Sequence, residues 1–170
     1  SAKSQLKSLV INEIRLPRIL LAFLVGAALT LAGSLLQGLF RNPLADPALI
    51  GVSSGGAMGA VTAIVLLPAI VIKLELTGGA AQITQSFGLP ILAMCGAIAL
   101  TFIIYRVSLV RGLTHVQSML LTGIAVNAIG GAFVGLVVTV FATDEQLRTI
   151  TFWTLGSLSG SNWDNTIVLA

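Results

Sequence analysis

Phe40-Arg41-Asn42-Pro43-Leu44-Ala45-Asp46-Pro47-Ala48-Leu49-Ile50-Gly51, FRNPLADPALIG, is a short polar break between two long apolar runs. The prolines disfavour helix at Asn42 and Asp46, the residues before them, so a turn is expected, with Arg41 at the edge of the apolar region. Working outward, no charged residue stands between Arg18 and Arg41, Asp46 and Lys73, Glu75 and Arg106, or His115 and Asp144. Each gap holds the roughly 20 residues that a membrane-spanning helix needs. The fold class this pattern predicts is all-α, a polytopic transmembrane helix bundle. Its spans are expected at 19–40, 51–72, 88–106 and 118–141, with a short interfacial helix at 144–156 and a further span starting near 163.

Composition agrees. The chain is 56 % hydrophobic and only 9 % charged, with mean hydropathy +1.01, against roughly 25 % charged residues in a soluble domain. Residues 1–18 carry Lys3, Lys7, Glu13, Arg15 and Arg18 without a compact apolar core, which is a loop or an amphipathic lead-in, not a signal peptide. The last apolar stretch follows Asp164 and stops at Ala170, so the chain reads as a fragment cut inside a helix. Basic residues are neither clustered nor interleaved with aromatics, so no nucleic-acid partner is expected.

Small residues recur every four positions on single helix faces. Ala22, Gly26, Thr30, Ser34 and Gly38 form one stripe, Gly51, Gly55, Gly59 and Ala63 a second, and Gly123, Asn127, Gly131, Gly135 and Thr139 a third. In lipid, burying leucine against leucine gains little over burying it in acyl chains, and small stripes that let backbones approach are how helices associate. Residues 73–87, with Thr77-Gly78-Gly79, are expected as an exposed loop, and Pro90 in the first turn of the next helix. Thr143 and Gln146 fit a capping box, with Asp144 and Glu145 suited to a helix N-terminus. Trp153 and Trp163 suit headgroup level.

Enzyme chemistry finds no footing. The single His115 and single Cys95 lack neighbours at metal-ligand spacing, so no metal is expected. There is no phosphate-cradling GxxxxGK[ST] sequence, and Gly55-Gly56-Ala57-Met58-Gly59 lies in a span without a preceding strand. No carboxylate falls inside a span, which lowers ion-coupled carriers without removing them. Gln37, Ser53, Ser54, Thr62 and Asn127 are expected to bond between helices or to face a water-filled passage. A positive-inside count places the face of Lys3, Lys7, Arg15, Arg18, Lys73 and Arg148 in the cytoplasm, against Arg41, Arg106 and Arg111 on the other, although without residues 1–18 the balance tips weakly the other way.

Three strings carry more than composition. Arg15-Leu16-Pro17-Arg18, then Gly33-Ser34-Leu35-Leu36-Gln37-Gly38-Leu39-Phe40-Arg41-Asn42-Pro43-Leu44-Ala45-Asp46-Pro47, then Leu49-Ile50-Gly51-Val52-Ser53-Ser54-Gly55 closely resemble the permease subunit of FecCD-type ABC importers. Met119 to Ala125 and Phe152 to Gly160 extend the match. Such permeases import iron-siderophores, haem and vitamin B12. The resemblance implies about ten helices per subunit, a homodimer around a central pathway, two cytoplasmic ATPase subunits that bind the ATP, and a periplasmic or lipid-anchored substrate-binding protein. It implies the bacterial inner membrane and no cofactor bound by this chain. It places Arg15 and Arg18 on the periplasmic face, against the charge count, as contacts for the binding protein. Asn42, Pro43 and Leu44, with Thr114, His115 and Val116, would line the inner gate. The second of these loops departs from the small hydroxyl residues of vitamin B12 permeases. The segment that contacts the ATPase lies, in the family, beyond the sixth helix. A secondary, gradient-driven carrier with inverted repeats and a purely structural membrane subunit are the competing readings.

Overall fold

The computed structural model describes residues 2–43, 45–75, 77–110, 113, 114, 116–158 and 163. Its elements are α1 (Ala2–Leu9), a π-helical segment (Val10–Arg15), α2 (Leu16–Phe40), a 3-10 turn (Pro47–Ile50), α3 (Val52–Lys73), α4 (Gly79–Val107), a two-residue antiparallel ladder of β1 (Leu109–Val110) with β2 (Leu113–Thr114), α5 (Val116–Phe141) and α6 (Asp144–Leu155). Among the described residues, four stretches are long and apolar enough to cross a membrane: Lys7–Phe40, Val52–Lys73, Ser86–Val107 and Gln117–Phe141. Helices are the form such runs must take, because hydrocarbon offers no water to the backbone and every N–H and C=O needs an internal partner. The protein is therefore an all-α, polytopic membrane bundle.

The close contact at its centre is the antiparallel pair α3 and α4. A Cβ built on Gly55 would overlap the Gly96 carbonyl oxygen and stand 2.8 Å from Ala97 Cα. One turn on, a Cβ on Gly59 would overlap the Leu92 carbonyl and stand 2.9 Å from Ala93 Cα. The relation is mutual, since a Cβ on Gly96 would overlap the Gly55 carbonyl and stand 3.1 Å from Gly59 Cα. Backbone lies on backbone here, which only glycine permits, and the contact gains dispersion that lipid tails would not supply. Toward the other end Gly88 abuts the Leu67 side chain.

α5 packs parallel to α3. Gly130 faces Ser54 and Met58, with a built Cβ 3.3 Å from Ser54 Cβ and 3.2 Å from Met58 Sδ. Further along, Val137 joins Val61, Ile64 and Ile150 of α6 in an apolar cluster. α6 begins with a complete capping box: Gln146 N–H donates to Thr143 Oγ1 at 3.3 Å and Thr143 N–H donates to Gln146 Oε1 at 3.0 Å.

Several expectations are corrected. The loop at 73–87 ends at Gly78, whose positive φ of 61° turns the chain, and helix resumes at Gly79 because Ala80, Ala81 and Gln82 favour it. Pro90 consequently lies inside α4, not in its first turn. The lead-in is helical through the π segment and runs straight into α2. On α5 the closely packed glycines are Gly123 and Gly130, whereas Cβ atoms built on Gly131 and Gly135 meet no described atom within 4 Å; the same is true of Gly26, Gly33 and Gly38 on α2. One residue along a helix rotates the face by about 100°, so the face of α5 toward the elbow and α3 carries Gly123 and Gly130, and the stripe of Gly131 and Gly135 looks away from the described helices. The span expected from about 163 lies outside the described residues.

Replacing Gly55 by alanine should cost about 1–3 kcal/mol through forced separation of two backbones, measured by reversible unfolding in detergent. The same change at Gly131 should cost no more than about 0.5 kcal/mol.

Candidate functional site

α2 stops in a Schellman closure. Arg41 takes the left-handed conformation (φ 50°, ψ 36°), Arg41 N–H donates to Gly38 O at 3.3 Å and Asn42 N–H to Gln37 O at 3.1 Å. Glycine is the usual residue at that position, and a side chain there is held at a cost of about 1 kcal/mol. Asn42 O then accepts from Ala45 N–H at 3.1 Å. Asp46, in extended backbone before Pro47, caps the 3-10 turn by accepting from Ala48 N–H at 2.7 Å. Gly51 reverses the chain into α3 with φ 86°, and a Cβ there would also press on Ile104 Cδ1 at 2.5 Å. FRNPLADPALIG is thus a built elbow with an internal hydrogen bond at each bend.

The elbow is seated on its neighbours. Phe40, Ala45 and Ile50 are buried with Ile104 from the end of α4 and Met119 from the start of α5. Asn127 Nδ2 donates to Ala48 O at 3.0 Å, and one turn earlier Gly123 lets α5 touch the Leu49 carbonyl. The Asn127 Oδ1 atom is buried without a partner among the described residues. Asn127 is therefore a helix-to-elbow tie, which is the interhelical role expected of the polar residues inside spans. Thr62 spends its hydroxyl on its own helix, donating to Met58 O at 2.7 Å.

The six residues expected at a gate fall into two segments that this cluster brings to one end of the bundle. Asn42 is half-buried and Pro43 exposed at the bend. Leu44 and His115 lie outside the described residues, and of Thr114 and Val116 only the backbone is described, as the end of β2 and the first residue of α5. Beside them Ser108 is fully buried and donates to Ile104 O at 2.6 Å, which closes α4. Arg106 lies over the Phe102 ring, 5.9 Å from its centroid. Arg15 and Arg18 lie at the other end of α2 from the elbow, Arg15 exposed and Arg18 half-buried.

Reading the sequence missed Gly96, Gly130 and the second bond of Gln146. Gly88 and Gly96, two helical turns apart in span three, were the available signal for the α4 face.

Comparison with known proteins bears on all of this. The chain matches the FecCD transport family over residues 1–170. It is 43 % identical over 156 residues to the hemin transport system permease protein HmuU of Yersinia pestis, covering 92 % of this chain and 43 % of that protein. It is 38 % identical over 154 residues to the cobalamin import system permease protein BtuC of Halobacterium salinarum, covering 91 % of this chain and 37 % of that protein. A solved inward-facing conformation of a metal-chelate type ABC transporter superposes with a TM-score of 0.73 at 31 % identity, covering 96 % of this chain and 47 % of that one. The chain spans less than half the length of these relatives.

The Asn127→Ala variant should leave the bundle folded and loosen the elbow. Amide hydrogen exchange at Leu49 and Gly51, whose N–H groups bond Asp46 O and Ala48 O, should quicken about five- to tenfold for the loss of one hydrogen bond of about 1 kcal/mol.

Proposed function

The chain belongs to the FecCD transport family, and on that premise we propose that it is part of the permease subunit of an ATP-driven importer of a metal chelate. An iron-siderophore, haem or a cobalamin is the substrate class. The relatives named above are permeases of a hemin transport system and a cobalamin import system, and both cargoes are bulky metal chelates. A carrier driven by an ion gradient finds no support among them. The observation that carries the reading is the elbow: two segments distant in sequence, 40–51 and 104–119, are packed together by Phe40, Ile50, Ile104 and Met119 at one end of the spans. Packing of that kind suits the inner closure of a pathway.

In this reading Asn42, Pro43 and Leu44 with Thr114, His115 and Val116 form one subunit's share of the inner gate. A second permease copy supplies the other share. Two ATPase subunits press on the cytoplasmic side, and a binding protein delivers the chelate to the opposite face, in the bacterial inner membrane. Arg15 is the stronger docking contact, since it is exposed, while Arg18 is half-buried. The mechanism is alternating access: ATP binding and hydrolysis rearrange helices about the seated elbow, and the chelate leaves inward.

The complete transporter, reconstituted with its ATPase and binding protein, should take up one of ferric siderophore, hemin or cobalamin only when ATP is present. Uptake driven by an ion gradient without ATP would overturn the reading. The Arg15→Glu variant should bind the binding protein about tenfold more weakly, because a charge at the rim of an interface acts through steering and complementarity.

A further inference from the structure

α3 contains Pro68. Proline has no N–H, so the carbonyl four residues back, that of Ile64, loses its helical donor. In a membrane protein such a group needs a replacement, and neighbouring side chains are one source. Gln146 of α6 provides it, donating from Nε2 to Ile64 O at 3.1 Å. The other end of the same amide accepts from Thr143 N–H. One side chain therefore caps α6 and completes the ladder of α3.

The arrangement recurs. In the π segment Leu16 N–H donates to Ile11 O, and the next residue, Pro17, has no N–H to offer Asn12 O. Trp163 Nε1 donates to that carbonyl at 3.1 Å. The carbonyls freed by Pro68 and Pro17 are thus served by side chains from the segment after α5.

The Gln146 bond borders a groove of about 540 Å³ lined by Ile64, Leu67, Pro68, Leu89, Thr143 and Thr149. Thr143 and Thr149 place hydroxyl groups on the groove wall, which also includes Ile64, whose carbonyl takes the Gln146 bond. Beside the Gln146 bond, α6 is seated on α3 and α5 through Ile150, which is buried against Val61, Ile64 and Val137.

We propose that Gln146 is a positioning residue that, with Pro68, forms a replaceable latch fixing α6 on α3. Closed, the latch sets the register of α6 on the helix that leads from the elbow. Open, with water on Ile64 O, it lets α6 swing against α3 at the flexible point that the proline creates. The latch itself stands on the geometry, and its use during transport rests on the importer reading.

The test uses the complete permease in lipid nanodiscs, with Cys95→Ala and spin labels on Ile72→Cys and Leu155→Cys, read as an electron–electron distance distribution. Gln146→Glu keeps the acceptor for Thr143 N–H and removes the donor, so it should broaden the distribution and add a second population. Gln146→Met removes both ends of the amide and should do at least as much. In the Pro68→Ala background the helix regains an N–H for Ile64 O, and Gln146→Glu should then change the distribution less than half as much. An unchanged distribution for Gln146→Glu and Gln146→Met, or an equal change in both backgrounds, overturns the latch. ATP-driven uptake by the parent protein is measured alongside; its absence would defeat the importer reading and leave the latch result intact.

Discussion

Everything in the bundle follows from the crossing of α3 over α4, where Gly55 and Gly59 lie on Gly96 and Leu92 with no side chain between the backbones. Lipid removes the hydrophobic drive that holds soluble helices together, and close packing replaces it. The crossing fixes how near Leu100 and Ile104 come to the start of α3. At that distance Gly51 has to be bare, because Ile104 Cδ1 occupies the space a Cβ would need. The same glycine turns the chain in the left-handed region, so packing and chain reversal impose one residue for two reasons. From there the elbow meets α5 at Gly123 and Asn127.

A second rule runs through the molecule. At several bends and breaks a specific side chain supplies the hydrogen bond: Asp46 to Ala48 N–H, Asn127 to Ala48 O, Gln146 to the carbonyl freed by Pro68, and Trp163 to the one freed by Pro17. Interruptions are expensive in hydrocarbon, and these fall at the ends and bends of the helices. The bundle thus combines a glycine-packed centre with margins held by single polar ties.

Much of this was legible in the residues. Charge-free gaps mark the spans because a charge in the membrane is costly, and Thr143 with Gln146 marks a helix start because the pairing is local. The elbow is visible as a turn from Asn42-Pro43 and Asp46-Pro47. Its seating is not, since that depends on Ile104 and Met119, more than fifty residues away in the chain. Helix faces are the weakest point: Gly130 and Gly131 are adjacent in sequence and point in different directions, and only the packing of α5 on α3 selects between them. The early return of α4 at Gly79 escaped because glycines before a helix resemble glycines in a loop.

The central claim is that the elbow forms the cytoplasmic mouth of an ATP-driven pathway. It is tested most directly by a single cysteine in place of the exposed Pro43, in the complete transporter lacking Cys95, probed with a membrane-impermeant thiol reagent. Labelling from the cytoplasmic side alone, at a rate that changes when ATP is added, is the predicted result. Labelling from the outer side, or a rate indifferent to ATP, would contradict it.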